Sequence, residues 1–421
     1  MTEYITLTVK DPTASRNNAG IYLLDYSLPE TLFKTTSDRP NIHFSQGNGK
    51  NVYAIQSLGK KLFFITRSHF YSSLMDNNKL KTSCSLWNTL FPAPAEKSHR
   101  DNFDSLFDNE QFCGSMSQQD NRLFVAVYAG DKLKLNPSIN LKLQEGFLFC
   151  SESNNDHLPN FKLLEQGIED FPTGQVISID DLLIYPSYEK LVSYNLDSLT
   201  SEILLRINNS DLRDDIENII CFDHKKFAEY NLSICCGAHG SYSLSCNGKE
   251  INSIKKRHYL DLKDNPQRFY LPSEATSVLL VDYNNQFYTL FGCDAGKLLI
   301  YELDINNNKP KLTYHKTIDF LALDDFSYGN KDDYLWNIRS LPNADVCFTL
   351  RNIFIRISFQ NLLNYNPQQR IQQLNNFNLE KPRKEIETEI NSYLKDLKDK
   401  YSLGAAYLLP YRITDWHIWS V

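Results

Sequence analysis

The stretch Ser277–Asp304, SVLLVDYNNQFYTLFGCDAGKLLIYELD, constrains the fold of this chain more than any other segment. Two apolar runs, Val278–Val281 and Phe287–Phe291, are followed by a tight turn at Asp294-Ala295-Gly296 and a third run, Leu298–Leu303. Short apolar runs separated by polar or glycine turns read as strands of a meander.

The same pattern returns along the chain. Lys190-Leu-Val-Ser-Tyr-Asn-Leu-Asp197 matches Lys297–Asp304 at Lys, Leu, Tyr, Leu and Asp, and follows the run Leu182–Tyr185 and a turn containing Pro186-Ser187. Weaker copies centre on Val52–Thr66, Leu123–Leu135, Leu232–Leu244 and Val346–Phe359, and Thr414–Val421 is a final aromatic strand. With Leu298 as reference, the equivalent positions are 62, 133, 191, 242, 298, 353 and 416. Their spacing averages about 59 residues, near or above that of radial β repeats. The expectation is an all-β, seven-bladed β-propeller occupying residues 1–421 as one domain. An N-terminal strand, Ile5–Val9 or Gly20–Asp25, would pair with the C-terminal strand and hide the sheet edges.

Composition fits this reading. Tyr (24) and Phe (25) are abundant while Met is scarce (3), a balance that leans toward strands. The net charge of −7 argues against wrapping nucleic acid, although it leaves room for a local basic patch. No run reaches the roughly 18 apolar residues that span a bilayer. The first ten residues alternate like a strand and lack the layout of a signal peptide. The nine cysteines are odd in number and contain no C-x-x-C pair, so they are expected to be reduced thiols of the cytoplasm or nucleus.

Two segments break the repeat. Residues 91–120 form a polar insertion, beginning Phe91-Pro-Ala-Pro94, with Trp87 at its root and Phe103 and Phe107 inside it. Residues 361–403 start Asn- and Gln-rich and then turn helical, as an insertion before the last blade and its closing strand. Pro382 opens the helix, and Ile386, Ile390, Tyr393, Leu394 and Leu397 share one face. Trp87, Phe91, Phe103, Phe107 and that helical stripe are therefore candidate partner-binding residues, with packing on the propeller as the competing role.

The segment Gly292-Cys-Asp-Ala-Gly-Lys-Leu-Leu-Ile-Tyr-Glu-Leu-Asp304 resembles the end of a WD-repeat. Tyr301-Glu302 stands where that family has its Trp-Asp dipeptide, and Trp419 has the corresponding place in the last blade. The resemblance implies a divergent propeller serving as a rigid interaction platform. The Gly-His dipeptide that opens such repeats is missing from every unit, which implies blades held by apolar packing without the family's buried His–Asp network.

Chemical motifs are sparse. Cys221-Phe-Asp-His224 places a thiol, a carboxylate and an imidazole close together, but strand alternation sends Cys221 and Asp223 to one face and Phe222 and His224 to the other. His239 beside Cys235-Cys236 offers too few ligands for zinc. The acidic run from Asp319 to Asp325 lacks the alternating spacing and central glycine of a calcium loop. Lys255, Lys256 and Arg257, followed by His258 and Tyr259, are the strongest basic cluster. They read as a solvated loop or as a rim for RNA, phospho-peptide or acidic lipid. Phosphate-cradling glycine loops and G-x-S-x-G are absent.

The expected function is a non-catalytic scaffold subunit of an intracellular multiprotein complex, with other protein subunits as partners and neither cofactor nor metal. Two alternatives remain open: an adaptor or receptor using the basic rim at 255–258, and a propeller hydrolase with a site in its channel.

Overall fold

The computed structural model describes residues 3–10, 20–25, 52–66, 70–76, 79–80, 84–85, 112–129, 146–151, 161–167, 172, 174–207, 219–227, 229–237, 242–254, 275–293, 296–305, 311–320, 335–350, 353–365, 388, 392, 405–408 and 412–420. Among them, seven antiparallel sheets follow one another along the chain. The first blade holds β3 (Val52–Leu58), β4 (Lys61–Thr66), β5 (Phe70–Asp76), β6 (Lys79–Leu80) and β7 (Cys84–Ser85). The second holds β8 (Phe112–Gln119), β9 (Arg122–Ala129), β10 (Gly146–Ser151) and β11 (Phe161–Gly167). The third holds β12 (Ile177–Ile179), β13 (Leu182–Ser187), β14 (Lys190–Asn195) and β15 (Thr200–Arg206).

Blade four is β16 (Ile219–Phe227), β17 (Tyr230–Gly237), β18 (Tyr242–Cys246) and β19 (Lys249–Ile254). Blade five is β20 (Ala275–Tyr283), β21 (Gln286–Cys293), β22 (Lys297–Asp304) and β23 (Lys311–Asp319). Blade six is β24 (Leu335–Ser340), β25 (Asp345–Leu350), β26 (Ile353–Ser358) and β27 (Ala405–Leu408), with the short helix α1 (Phe359–Asn364) directly after β26. The seventh sheet joins both ends of the chain, with β1 (Glu3–Lys10) between β2 (Gly20–Asp25) and β28 (Arg412–Ser420). These sheets are the blades of a seven-bladed β-propeller. The chain divides into two compact units, one carrying blades one to three and the seventh, the other carrying blades four to six.

Local chemistry sets the hairpins. Asp120-Asn121 and Asn284-Asn285 have positive φ at both positions, and Asn247-Gly248 does the same with φ of 50° and 74°. This is the type I′ geometry that matches the right-handed twist of paired strands, and Asn, Asp and Gly adopt it at least cost.

Packing explains the continuous apolar runs. Blade two offers Leu123, Val125 and Val127 to Phe63, Ile65 and Phe70 of blade one. Its alternate residues Phe124 and Ala126 meet Leu183, Tyr185 and Val192 of blade three. A middle strand covered on both faces has no polar side, so alternation disappears from its sequence. In the other unit, Val278, Leu280, Phe291, Leu299 and Tyr301 of blade five meet Leu232, Ile234 and Leu244 of blade four. Gly292 marks the tightest approach on the other face of blade five. A Cβ there would lie 2.7 Å from the Ile338 side chain and 2.9 Å from the Leu335 carbonyl.

Several expectations need correction. Positions 191, 242, 298 and 353 all fall at the third strand of their blades, but 62 lies in the second strand of blade one and 416 in β28. Position 133 lies outside the described residues, and 62 differs because the tight turn Gly59-Lys60 joins strands one and two of blade one. Phe112–Gln119, placed in the polar insertion, is β8, because its Ser115 and Ser117 make an inner strand look like a loop. Pro186-Ser187 belongs to β13, and the turn that follows is Tyr188-Glu189. The segment 361–403 lies within blade six, since β26 pairs with β27, and its first residues belong to α1. The predicted helix at 382–400 lies outside the described residues except Thr388 and Ser392, which are helical and exposed.

Two substitutions test this packing. Gly292→Ala is expected to lower unfolding stability by about 1–3 kcal/mol through overpacking, measured by urea denaturation. Thr289 is completely buried between Leu280 and Tyr301, and its hydroxyl has no hydrogen-bond partner among the described residues. Thr289→Val is therefore expected to keep or raise stability, by up to about 1 kcal/mol in the same assay.

Candidate functional site

Among the described residues, polar side chains gather along the first strands of blades one, two, four and five, where neighbouring blades of the same unit meet without a backbone ladder. Short polar side chains bridge these strands. In one unit, the Val176 amide donates to Ser115 Oγ at 2.8 Å and the Ser178 amide to Ser117 Oγ at 2.9 Å. The two hydroxyls of Ser117 and Ser178 are 2.7 Å apart, and Gln119 Nε2 donates to the Asp180 carbonyl. In the same unit, the Ser57 amide donates to His417 Nε2 at 3.2 Å, with the Ser57 hydroxyl 2.8 Å from the same nitrogen.

The other unit repeats the device with different residues. Asp223 on β16 is buried, and its carboxylate accepts the Leu280 amide of β20 at 2.7 Å and the His224 amide at 2.9 Å. Burial pushes the Asp223 carboxyl above its ordinary range, while Lys225 and the two amides oppose that rise. Lys225 Nζ extends past β20 to donate to Ser340 Oγ at 2.8 Å. From blade five to blade six the polarity inverts. Thr276 and Ser277 hydroxyls donate to the Leu335 carbonyl at 2.7 and 3.0 Å.

Asp223, His224 and Ser233 contain the residue types of a nucleophilic triad but not its arrangement. His224 Nδ1 lies 2.7 Å from Ser233 Oγ, directly across the β16–β17 ladder. The Asp223 carboxylate is on the opposite face, as strand alternation requires, and is engaged by two amides. Both His224 and Ser233 are buried, and burial pushes the imidazole down to about 4. A triad needs its acid hydrogen-bonded to the imidazole and its hydroxyl open to substrate. Here the three residues lock β16 to β17 and β20 instead.

Helix α1 is held from both ends. Ser358 Oγ accepts the Asn361 amide at 3.2 Å, and Lys316 Nζ on β23 donates to the carbonyls of Leu363 and Tyr365. A cation at these last carbonyls suits the helix dipole. Phe359 completes the anchor, its ring 5.2 Å from Tyr283 and 5.0 Å from Tyr288. Six residues are too few to show a helical period, so this element left no signal in the sequence beyond its Ser358 cap.

The candidate partner-binding residues Trp87, Phe91, Phe103, Phe107, Lys255, Lys256, Arg257, Ile386, Ile390, Tyr393, Leu394 and Leu397 all lie outside the described residues, as does His239. Among the described residues, no group of three or more His, Cys, Asp or Glu side chains has the geometry to hold a metal ion. No helix among them is long and apolar enough to cross a membrane. The sequence reading identified the opposed faces of Asp223 and His224 but missed the bridging role of Ser115, Ser117, Ser178, Ser277 and His417. Apolar packing is thus only part of what holds the blades.

No protein-family model matches the sequence, and no curated protein sequence matches it. Solved structures of three β-propeller proteins are similar in fold. YCF48 from Cyanidioschyzon merolae is 9% identical, covering 72% of this chain and 81% of its own, with a TM-score of 0.42. Sqt1 from Saccharomyces cerevisiae is 12% identical, covering 75% of this chain and 72% of its own, with a TM-score of 0.42. The extracellular domain of the hybrid two-component system BT4673 from B. thetaiotaomicron is 12% identical, with a TM-score of 0.44. It covers 82% of this chain, which spans 37% of that structure.

His224 gives this site a pH signature. Above its ordinary value of 6.5 the imidazole is neutral in both folded and unfolded chains. As pH falls from 6.5 toward about 4, only the unfolded chain takes up the proton, so stability falls across that window and this loss ends near 4. The native protein is expected to lose roughly 3 kcal/mol more across this window than His224→Gln, measured as the difference between their urea-unfolding profiles.

Proposed function

We propose that this chain is a non-catalytic interaction platform, a propeller subunit of an intracellular protein complex that binds its partner at the blade perimeter. One observation carries the reading. Leu199, in the turn between β14 and β15, is 56% exposed and has a φ of 55°. A branched apolar side chain in that backbone region is unfavourable, and solvent exposure adds to the cost.

The turn presents the side chain in a fixed way. Asn195 Oδ1 accepts the amides of Asp197 and Ser198 at 2.9 and 2.8 Å, and the Ser198 and Thr200 hydroxyls are 2.7 Å apart. Ile203 on the adjoining strand is also exposed, at 42%. β15 is the outer strand of its sheet, so exposed backbone donors and acceptors run beside these two side chains. An apolar pair next to an open strand edge suits a partner segment better than it suits water.

The test separates stability from recognition. Leu199→Asn relieves the backbone strain, and with Ile203→Lys the melting temperature is expected to hold or rise. The same double variant is expected to lose the stoichiometric partner that the native chain retains through affinity purification and gel filtration from its own cells. A native chain that elutes as a bare monomer overturns the platform reading. A partner retained by the double variant overturns its placement at β15.

A further inference from the structure

We propose that Cys221 and Cys236 form an oxidant-sensitive thiol pair that closes to a disulfide across the β16–β17 ladder. The two residues are directly opposed in the strand register. Opposed residues on antiparallel strands stand about 4.5–5.5 Å apart at Cα, within the span of roughly 4.4–6.8 Å that a disulfide bridges. The neighbouring Cys221 side chain helps to hold the Cys236 thiol protonated. The register depends on an irregularity between Ile219 and Cys221, which brings Cys221 opposite Cys236.

The surroundings divide the roles. Cys221 is only partly buried, so it is the sulfur that an incoming oxidant reaches first. Cys236 is fully buried, and burial together with the Cys221 contact holds its thiol well above the usual range. It stays protonated, and so is protected, until its neighbour is oxidised. Cys235 is the adjacent residue, and strand alternation points it to the other face, opposite Phe222. Cys293, also buried, lies near Cys236 from blade five, where its thiol meets the Phe291 carbonyl at 3.8 Å.

With a peroxide as oxidant, the chemistry balances. The Cys221 thiolate attacks one peroxide oxygen, the O–O bond breaks, and the sulfur becomes a sulfenic acid while hydroxide leaves and takes up a proton as water. The Cys236 sulfur then attacks the sulfenic sulfur, the S–O bond breaks and a second water departs. Two thiols supply the two electrons that reduce one peroxide. The product also has a structural consequence. In the reduced protein Cys221 donates its S–H to the Ala275 carbonyl of β20 at 3.6 Å. The disulfide removes that donor, so oxidation exchanges a link between blades four and five for one inside blade four.

Hydrogen peroxide added to the folded full-length protein tests this directly. After unreacted thiols are alkylated, peptide mass mapping is expected to show Cys221 joined to Cys236. The thiol count in denaturant is expected to fall from nine to seven, the nine cysteines less the linked pair, and to return with reductant. Cys235→Ser should keep the link, and Cys221→Ser should abolish it. The native protein's own peptide map suffices if a variant fails to fold. A map in which Cys221 proceeds to sulfinic acid, Cys236 joins Cys235 or Cys293, or both thiols stay reduced overturns the proposal.

Discussion

Within each unit, the architecture depends on how the first strand of blades two, four and five is tied to the next blade. Each sheet ends at that strand, leaving a row of amides and carbonyls that no ladder satisfies. Buried orphan groups of this kind cost about 1–3 kcal/mol each, so something must reach them. Here the answer is a side chain short enough to bond and stiff enough to hold register: Ser115 to Val176 just before β12, Ser117 to β12, Asp223 to β20, Thr276 and Ser277 to β24. These bonds join residues 57 to 61 positions apart. At these three junctions the chain length from one bridge end to the other is close to the average repeat of about 59 residues. Loops and outer strands vary inside that interval because only the bridges must return in phase.

The second constraint is that the middle strands of blade two are sandwiched between blades one and three. Phe124 and Val125 are both completely buried although they point in opposite directions, because blades stand on either side. The fit leaves little slack, as Gly292 demonstrates. It also limits what chemistry a blade interior can host. The Asp223 carboxylate and the His224 imidazole survive there only because each is directed to a fixed partner, amides for one and Ser233 for the other.

Much of this was legible in the residues. The meander from Val278 to Leu303, the third strands of blades three to six, the sharing of one sheet by the two chain ends, and the opposed faces of Asp223 and His224 all follow from short-range pattern. The unreadable parts have physical causes. A serine-rich strand such as β8 looks like a loop because its hydroxyls are consumed by a neighbour 61 residues away, a relation that no local window contains. Gly59-Lys60 turns between strands one and two of blade one as sharply as other turns do between strands two and three, so two different strand pairs have the same local pattern. Within the blades, the residues of the site are visible in the sequence as groups, while what Asp223 and Ser115 bond lies 57 and 61 residues away.

One strand gathers the consequences. Along β16, Cys221, Asp223 and Lys225 project from a single face at successive alternate positions, and each reaches a different place: Ala275, Leu280 and Ser340. Polar groups this fully engaged fix geometry and are not available to a ligand. Where the strand order runs outward the commitment relaxes, until at β15 apolar side chains stand in solvent beside an open edge. A molecule built this way commits the polar groups of β16 to holding blades in register. The exception is Cys221, which meets the Ala275 carbonyl through sulfur at 3.6 Å and stands opposite a second thiol, Cys236. Sulfur is a poor hydrogen-bond donor, so the Cys221 link to Ala275 is the bridge that gives way first, and an opposed thiol is already in place to take up the released sulfur.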